Sequence, residues 1–163
     1  MGTRGYIGIR MNEQDKGGFN HYDSYPSYLG KRLLEFLKDK PKEELKHLFE
    51  EIGKKTIPAD EYPCVWDFDK NCINPDIVIY NDFLKKSLWC EYAYIINLDN
   101  NTFEFYVGFN RNPNAKGRYA QYCADDKKKF YGVKLKKVIP LNDIIKGRYG
   151  VNDDKEIFVR KTI

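Results

Sequence analysis

Arg4, Asn20, His21, Tyr22, Asp23, Ser24 and Tyr25 form the densest set of chemically competent side chains in the first part of the sequence. An imidazole two residues from a carboxylate has the types that acid–base work near neutral pH requires. His21 would exchange the proton and Asp23 would orient it, so these two are the candidate catalytic residues. The surrounding types suit a planar anion: Arg4 to pair with it, Asn20 and Ser24 to hydrogen-bond it, Tyr22 or Tyr25 to stack on it. A helix start beside Asp23 and Ser24 would add free backbone N–H groups and the positive end of a helix dipole. The competing reading is structural: Asp23 or Ser24 caps the helix, His21 is a sheet residue bonded to backbone, and Arg4 pairs with a surface carboxylate.

A second polar set, residues 110–119, holds Arg111, Lys116 and Arg118 among three asparagines. Arg and Asn forks beside Tyr119 would close on the same nucleotide-like anion from a distant loop, or form a solvated loop. The basic run Lys127, Lys128, Lys129, Lys134, Lys136 and Lys137 alternates with Val133 and Leu135, which reads as the wet face of a strand. Asp67-Phe68-Asp69-Lys70-Asn71 opens like a calcium loop, but Cys72 stands where glycine is needed and Val78 where the closing glutamate belongs. Neither a metal site nor a cofactor signature is complete.

The elements that must carry these residues follow from spacing. Alternation over 6–11 predicts a strand, 12–18 a turn, and 19–22 a return strand running into a helix over 26–38, with Pro26 in its first turn. Leu45, Leu48, Phe49 and Ile52 predict a second helix over 42–52, closed by Gly53. Residues 54–79 have no steady period and read as an irregular connection. A short helix over 80–86, a strand over 89–98, a turn at 99–101 and a strand over 102–109 follow, the last with Phe103, Phe105 and Val107 on a buried face and Glu104 and Tyr106 on the other. A strand over 130–139, then a short helix and a final edge strand at 157–159, complete a single α+β domain over residues 1–163.

Composition sets the exclusions. Among 163 residues there are thirteen Tyr and ten Phe, enough amphipathic rings to build much of a core that needs no metal or disulfide. The net charge of +4 is too small for a dedicated nucleic-acid binder, although a local basic face can attract an anion. Cys64, Cys72, Cys90 and Cys123 match no zinc spacing and read as reduced, mostly buried thiols. No apolar run is long enough to cross a bilayer and no leader pattern opens the chain, so a cytoplasmic protein is expected, with its oligomeric state open.

The strings Gly2-Thr3-Arg4-Gly5, Asn20-His21-Tyr22-Asp23-Ser24-Tyr25-Pro26, Cys90-Glu91-Tyr92-Ala93-Tyr94 and Tyr106-Val107-Gly108-Phe109-Asn110 resemble a family of small uncharacterised bacterial and phage proteins. That resemblance implies a site at the first strand-to-helix junction. It gives a location and not a role; if the likeness reflects a phage origin, a counter-defence protein that sequesters or cleaves a nucleotide immune signal in the host cytoplasm is the natural expectation. A second likeness is to the layout of N-terminal-nucleophile amidohydrolases. Those enzymes expose Cys, Ser or Thr as first residue, whereas removal of Met1 here exposes Gly2 and leaves Thr3 one place inside. A protein-interaction inhibitor that uses its aromatic surface is the third class, and whether the protein is an enzyme stays open.

Overall fold

Ile7 and Ile9 alternate with Tyr6, Gly8 and Arg10, a period of two that gives β1 (Gly5–Met11) one aliphatic and one mixed face. Asn12 and Glu13 then both take positive φ, 54° and 61°, the two-residue turn whose twist matches a hairpin. As a result β2 (Gln14–Asn20) begins at once, with Met11 opposite Gln14 and Gly5 opposite Asn20. The expected long turn over 12–18 is therefore incorrect. Gly17 and Gly18 lie within the strand, and Gly17 is bare because the Tyr6 ring crosses it: a Cβ there would sit 2.5 Å from Tyr6 Cζ.

The computed structural model describes residues 2–58, 61, 63–125 and 129–161; Lys127 and Lys128 of the basic run lie outside the described residues. After β2 the predicted helix starts as one wide π-helical turn, Pro26–Gly30, and continues as α1 (Lys31–Leu37). α2 (Lys42–Glu51) buries Leu45 and Phe49, and Gly53 follows at φ 79°, as its spacing implied. A small hairpin, β3 (Trp66–Asp67) with β4 (Cys72–Ile73), interrupts the irregular stretch, and a 3-10 turn covers Asn81–Lys85. β5 (Tyr92–Asn97) and β6 (Thr102–Val107) form the second hairpin. The single strand expected over 130–139 is two pieces. β8 (Phe130–Tyr131) pairs with β7 (Cys123–Asp125), and β9 (Lys134–Pro140) joins the main sheet. They part at Gly132, whose Cβ position would lie 1.8 Å from Tyr119 O. α3 (Leu141–Ile145) and a hairpin of β10 (Tyr149–Asn152) and β11 (Ile157–Arg160) close the chain.

The main sheet runs β2-β1-β5-β6-β9, antiparallel except between β1 and β5. That order sets the N-terminal ends of β1, β5 and β9 beside the C-terminal ends of β2 and β6. One face packs Ile7, Ile9, Tyr94, Ile96, Phe103 and Phe105 against the helices and Phe158. The opposite face was expected to be wet around Glu104 and Tyr106; instead Tyr6, Ala93, Ile95 and Tyr106 are buried under Phe83, Leu84, Tyr119 and Val133. The chain is α+β, with the sheet covered on both sides. Among the described residues no helix is long and apolar enough to cross a membrane.

Candidate functional site

The first hairpin ends in a clasp built on Asn20. Its side chain is fully buried, and Nδ2 donates to Tyr22 O and Ser24 Oγ, each at 2.8 Å, while Oδ1 accepts from Cys64 Sγ at 2.6 Å. Ser24 is equally buried: its N–H donates to Thr3 O and its carbonyl accepts from the Tyr94 hydroxyl. Asp23 takes φ 54° to make the reversal, so Asn20 and Ser24 hold a tight turn together and have no surface to offer a ligand. This corrects their placement among ligand-binding residues.

The helix start differs from expectation as well. The residue before the wide turn is Tyr25, and no side chain caps the helix. The anion expected at its amides is supplied by the chain itself: Glu156 accepts from Ser27 N–H at 2.7 Å and from Ser27 Oγ. Asp23 hydrogen-bonds Tyr25; partial burial, followed by the Asp23 and Glu156 carboxylates, pushes the Tyr25 phenol up. His21 is half-buried, with its ring edge-on to Phe19 at 4.4 Å and its backbone N–H donating to Cys64 Sγ.

What faces outward at this end of the sheet is a strip of rings and guanidinium groups. Arg4 lies 5.6 Å from the Trp89 ring centroid; its backbone N–H donates to the Glu91 carboxylate at 3.1 Å and its carbonyl accepts from Glu91 N–H. Tyr22 packs against Gly2 so closely that a Cβ at position 2 would meet Tyr22 Cβ at 2.5 Å. Phe109 N–H donates to Ser87 O two residues before Trp89, and its ring is 6.5 Å from Phe130, over which Arg111 lies at 4.7 Å. Three of these rings are about half exposed: Tyr22 at 56%, Trp89 at 51% and Phe109 at 54%. The strip crosses the ends of four adjacent strands, about 14 Å at the usual strand spacing. Lys116 is exposed on the loop that pairs with the start of β9. Of the residues named from the sequence, Arg4 lies near the start of β1, Tyr22 just past the end of β2 and Arg111 past the end of β6; Trp89 and Phe109 carry no signal in the motif, although Trp89 is one of two tryptophans.

Arg118 is not part of this strip. It binds Glu104 bidentately, at 3.0 and 2.6 Å, on the sheet's second face. Glu104 is 5% exposed and also accepts from Asn97 and from the Tyr106 hydroxyl. Burial works to raise the Glu104 carboxyl, but the Arg118 guanidinium, with Asn97 and Tyr106, outweighs it and holds the group below the usual carboxylate range. The chain of bonds continues from Arg118 to the Tyr119 hydroxyl, which donates to Asp15, and Asp15 pairs with Arg10 at 3.1 Å. Burial first and Asp15 second push the Tyr119 phenol up. Asn81 accepts from the Tyr6 hydroxyl and donates to Asp15 O, closing the network.

All four cysteines are thiols, but only Cys90 is buried; Cys64 and Cys72 are intermediate and Cys123 is exposed, so the expectation of mostly buried thiols is corrected. Among the described residues no group of three or more His, Cys, Asp or Glu side chains could hold a metal ion. No family model matches the chain, and no curated protein or solved structure matches it.

Proposed function

We propose that the protein binds a small planar anion of nucleotide type on the ring-bearing end of its sheet. Trp89, Tyr22 and Phe109 stack the planar part, and Arg4, Arg111 and Lys116 meet its phosphate or carboxylate charge. The observation that carries this reading is the set of three half-exposed rings gathered at one strand end with a guanidinium already lying against the central one. Half-exposed rings with cations close by are the kind of surface on which a planar anion can stack and pair. The resemblance of the N-terminal motif to phage proteins supplies the setting we assign: capture of a nucleotide immune signal in a host cytoplasm. His21, next to Tyr22, is the acid–base group if the captured molecule is also cleaved.

Titration with mono- and dinucleotides tests this. A ligand present at a hundred times its dissociation constant stabilises by about 2.7 kcal/mol, or roughly 5–11 °C in a chain of this length. Stacking on Trp89 quenches exposed tryptophan emission while buried Trp66 is unaffected, and Trp89→Ala weakens binding by at least about tenfold with an unchanged melting temperature. His21→Gln abolishes any turnover but keeps affinity. No shift with any nucleotide, or full binding by Trp89→Ala, overturns the reading.

A further inference from the structure

At the opposite end of β1, five residues or about 17 Å from Gly5, the second face of the sheet opens into a cavity of about 260 Å³. Its floor is the Arg10–Asp15 pair and the Tyr119 ring, and its rim is Asp82, Lys85 and Tyr122. The floor groups are fixed. Tyr119 is buried, and the side chains of Arg10 and Asp15 are only 18% and 11% exposed. Arg118, which also lines the cavity, has a buried Nε without a partner among the described residues. At the rim, Lys85 Nζ lies 4.6 Å from the Tyr122 ring centroid and 3.4 Å from Asp82 Oδ1. A polar, partly buried recess of this kind with ring walls has the makings of a small-molecule site.

Its charges are mixed. Three cations, Arg10, Lys85 and Arg118, line it beside two carboxylates, Asp15 and Asp82, and Glu104 neutralises Arg118 from outside the cavity. A simple anion placed here would be attracted by the cations but repelled by carboxylates at similar range, and a simple cation would meet the converse. A molecule carrying both charges a few bonds apart is attracted by both sets. We propose that this cavity binds a zwitterion, a free α-amino acid with an uncharged side chain. Its carboxylate pairs with the donors that Arg10 does not spend on Asp15 and with Lys85. Its ammonium meets Asp15 and Asp82, and its side chain rests on Tyr119 and Tyr122.

The test is thermal shift and calorimetry with each of the twenty free L-amino acids, beside propionate and propylamine, which carry the two charges separately. The expected result is stabilisation by at least one uncharged-side-chain amino acid, with neither half-molecule reproducing it. Lys85→Gln and Tyr122→Ala, both on the rim and outside the folded network, should weaken that binding about tenfold or more at unchanged melting temperature in the absence of ligand. Trp89→Ala should leave it untouched, which separates this site from the nucleotide surface. The proposal is overturned if no amino acid binds, if propionate or propylamine alone gives the full effect, or if the rim variants bind like the wild type.

Discussion

Replacing Arg118 by Met strips the counterion from a carboxylate that is 5% exposed. Arg118 supplies both charge-assisted hydrogen bonds to Glu104, and what would remain are Asn97 and the Tyr106 hydroxyl. Removing one member of a buried ion pair costs about 3–5 kcal/mol, because the surviving charge stays in a poor solvent. For a chain of this length that is a fall of roughly 6–20 °C in melting temperature. The effect has a pH signature whose sign follows from the geometry. In the wild type Glu104 is held below its unfolded value, so the pair's contribution is complete above the ordinary glutamate value of 4.5 and is lost as pH falls through the folded value. In Arg118→Met burial acts with less opposition and raises the carboxyl, so its penalty is complete at neutral pH and is relieved by protonation in acid. The gap between the two proteins must therefore narrow between about pH 7 and about pH 4. Glu104→Gln, by contrast, leaves the charge on Arg118, whose side chain is 31% exposed and can be hydrated, and should cost only about 1–3 kcal/mol. Urea denaturation of the three proteins at both pH values decides it. A gap that does not change with pH, or a Glu104→Gln loss equal to that of Arg118→Met, would refute the assignment of Arg118 as the group that tames a buried charge.

Two further outcomes separate packing from binding. Asn20→Ala leaves Ser24 Oγ, Tyr22 O and the Cys64 thiol short of partners in a buried turn, and should lower stability by about 2–4 kcal/mol by denaturant titration; lost nucleotide binding at full stability would instead make Asn20 a ligand residue. The strand glycines should differ in kind, because the three atoms nearest a Cβ at Gly8 all belong to the Tyr6 side chain, the first at 2.7 Å, whereas one at Gly17 also meets the Ile7 carbonyl at 2.3 Å. Gly8→Ala should cost about 1–3 kcal/mol and be rescued in part by Tyr6→Leu, while Gly17→Ala should cost more and resist that rescue; equal rescue at both positions in double-mutant cycles would contradict the geometry.

The sequence was informative wherever a signal was local. The period of two over Tyr6 to Arg10, the apolar spacing of Leu45 and Phe49, and Gly53 after the second helix each depend on neighbours a few residues away, and each matches the structure. The first turn was misjudged because Gly17 and Gly18 look like turn residues. Their actual reason, a tyrosine ring from the neighbouring strand lying over Gly17, is not written in the residues beside them. The helix start was read as an open anion site for the same cause. Ser27 finds its carboxylate in Glu156, 129 residues further along, and no local pattern announces that pairing.

The same argument explains why the polar face of the sheet was taken for a wet one. A Glu two residues from a Tyr on a strand is, by pattern alone, the solvent side of a half-buried hairpin, since an unpaired charge is too costly to bury. Burial becomes affordable only through partners that the alternation does not reveal: Arg118 lies 14 residues from Glu104, and Asp15 lies 104 residues from Tyr119. Once those pairs exist, polarity stops marking the surface and begins to mark a fixed interior network. The outward-facing groups of that network are then held in place before any ligand arrives. The N-terminal motif worked in the opposite direction. Its Asn and Ser look chemically available in the sequence and are consumed by the fold, while from the same stretch the Tyr22 ring is about half exposed and Arg4 lies against the exposed Trp89 ring. Residue type proposes a chemistry; which side of the backbone the fold leaves wet decides whether that chemistry reaches a ligand.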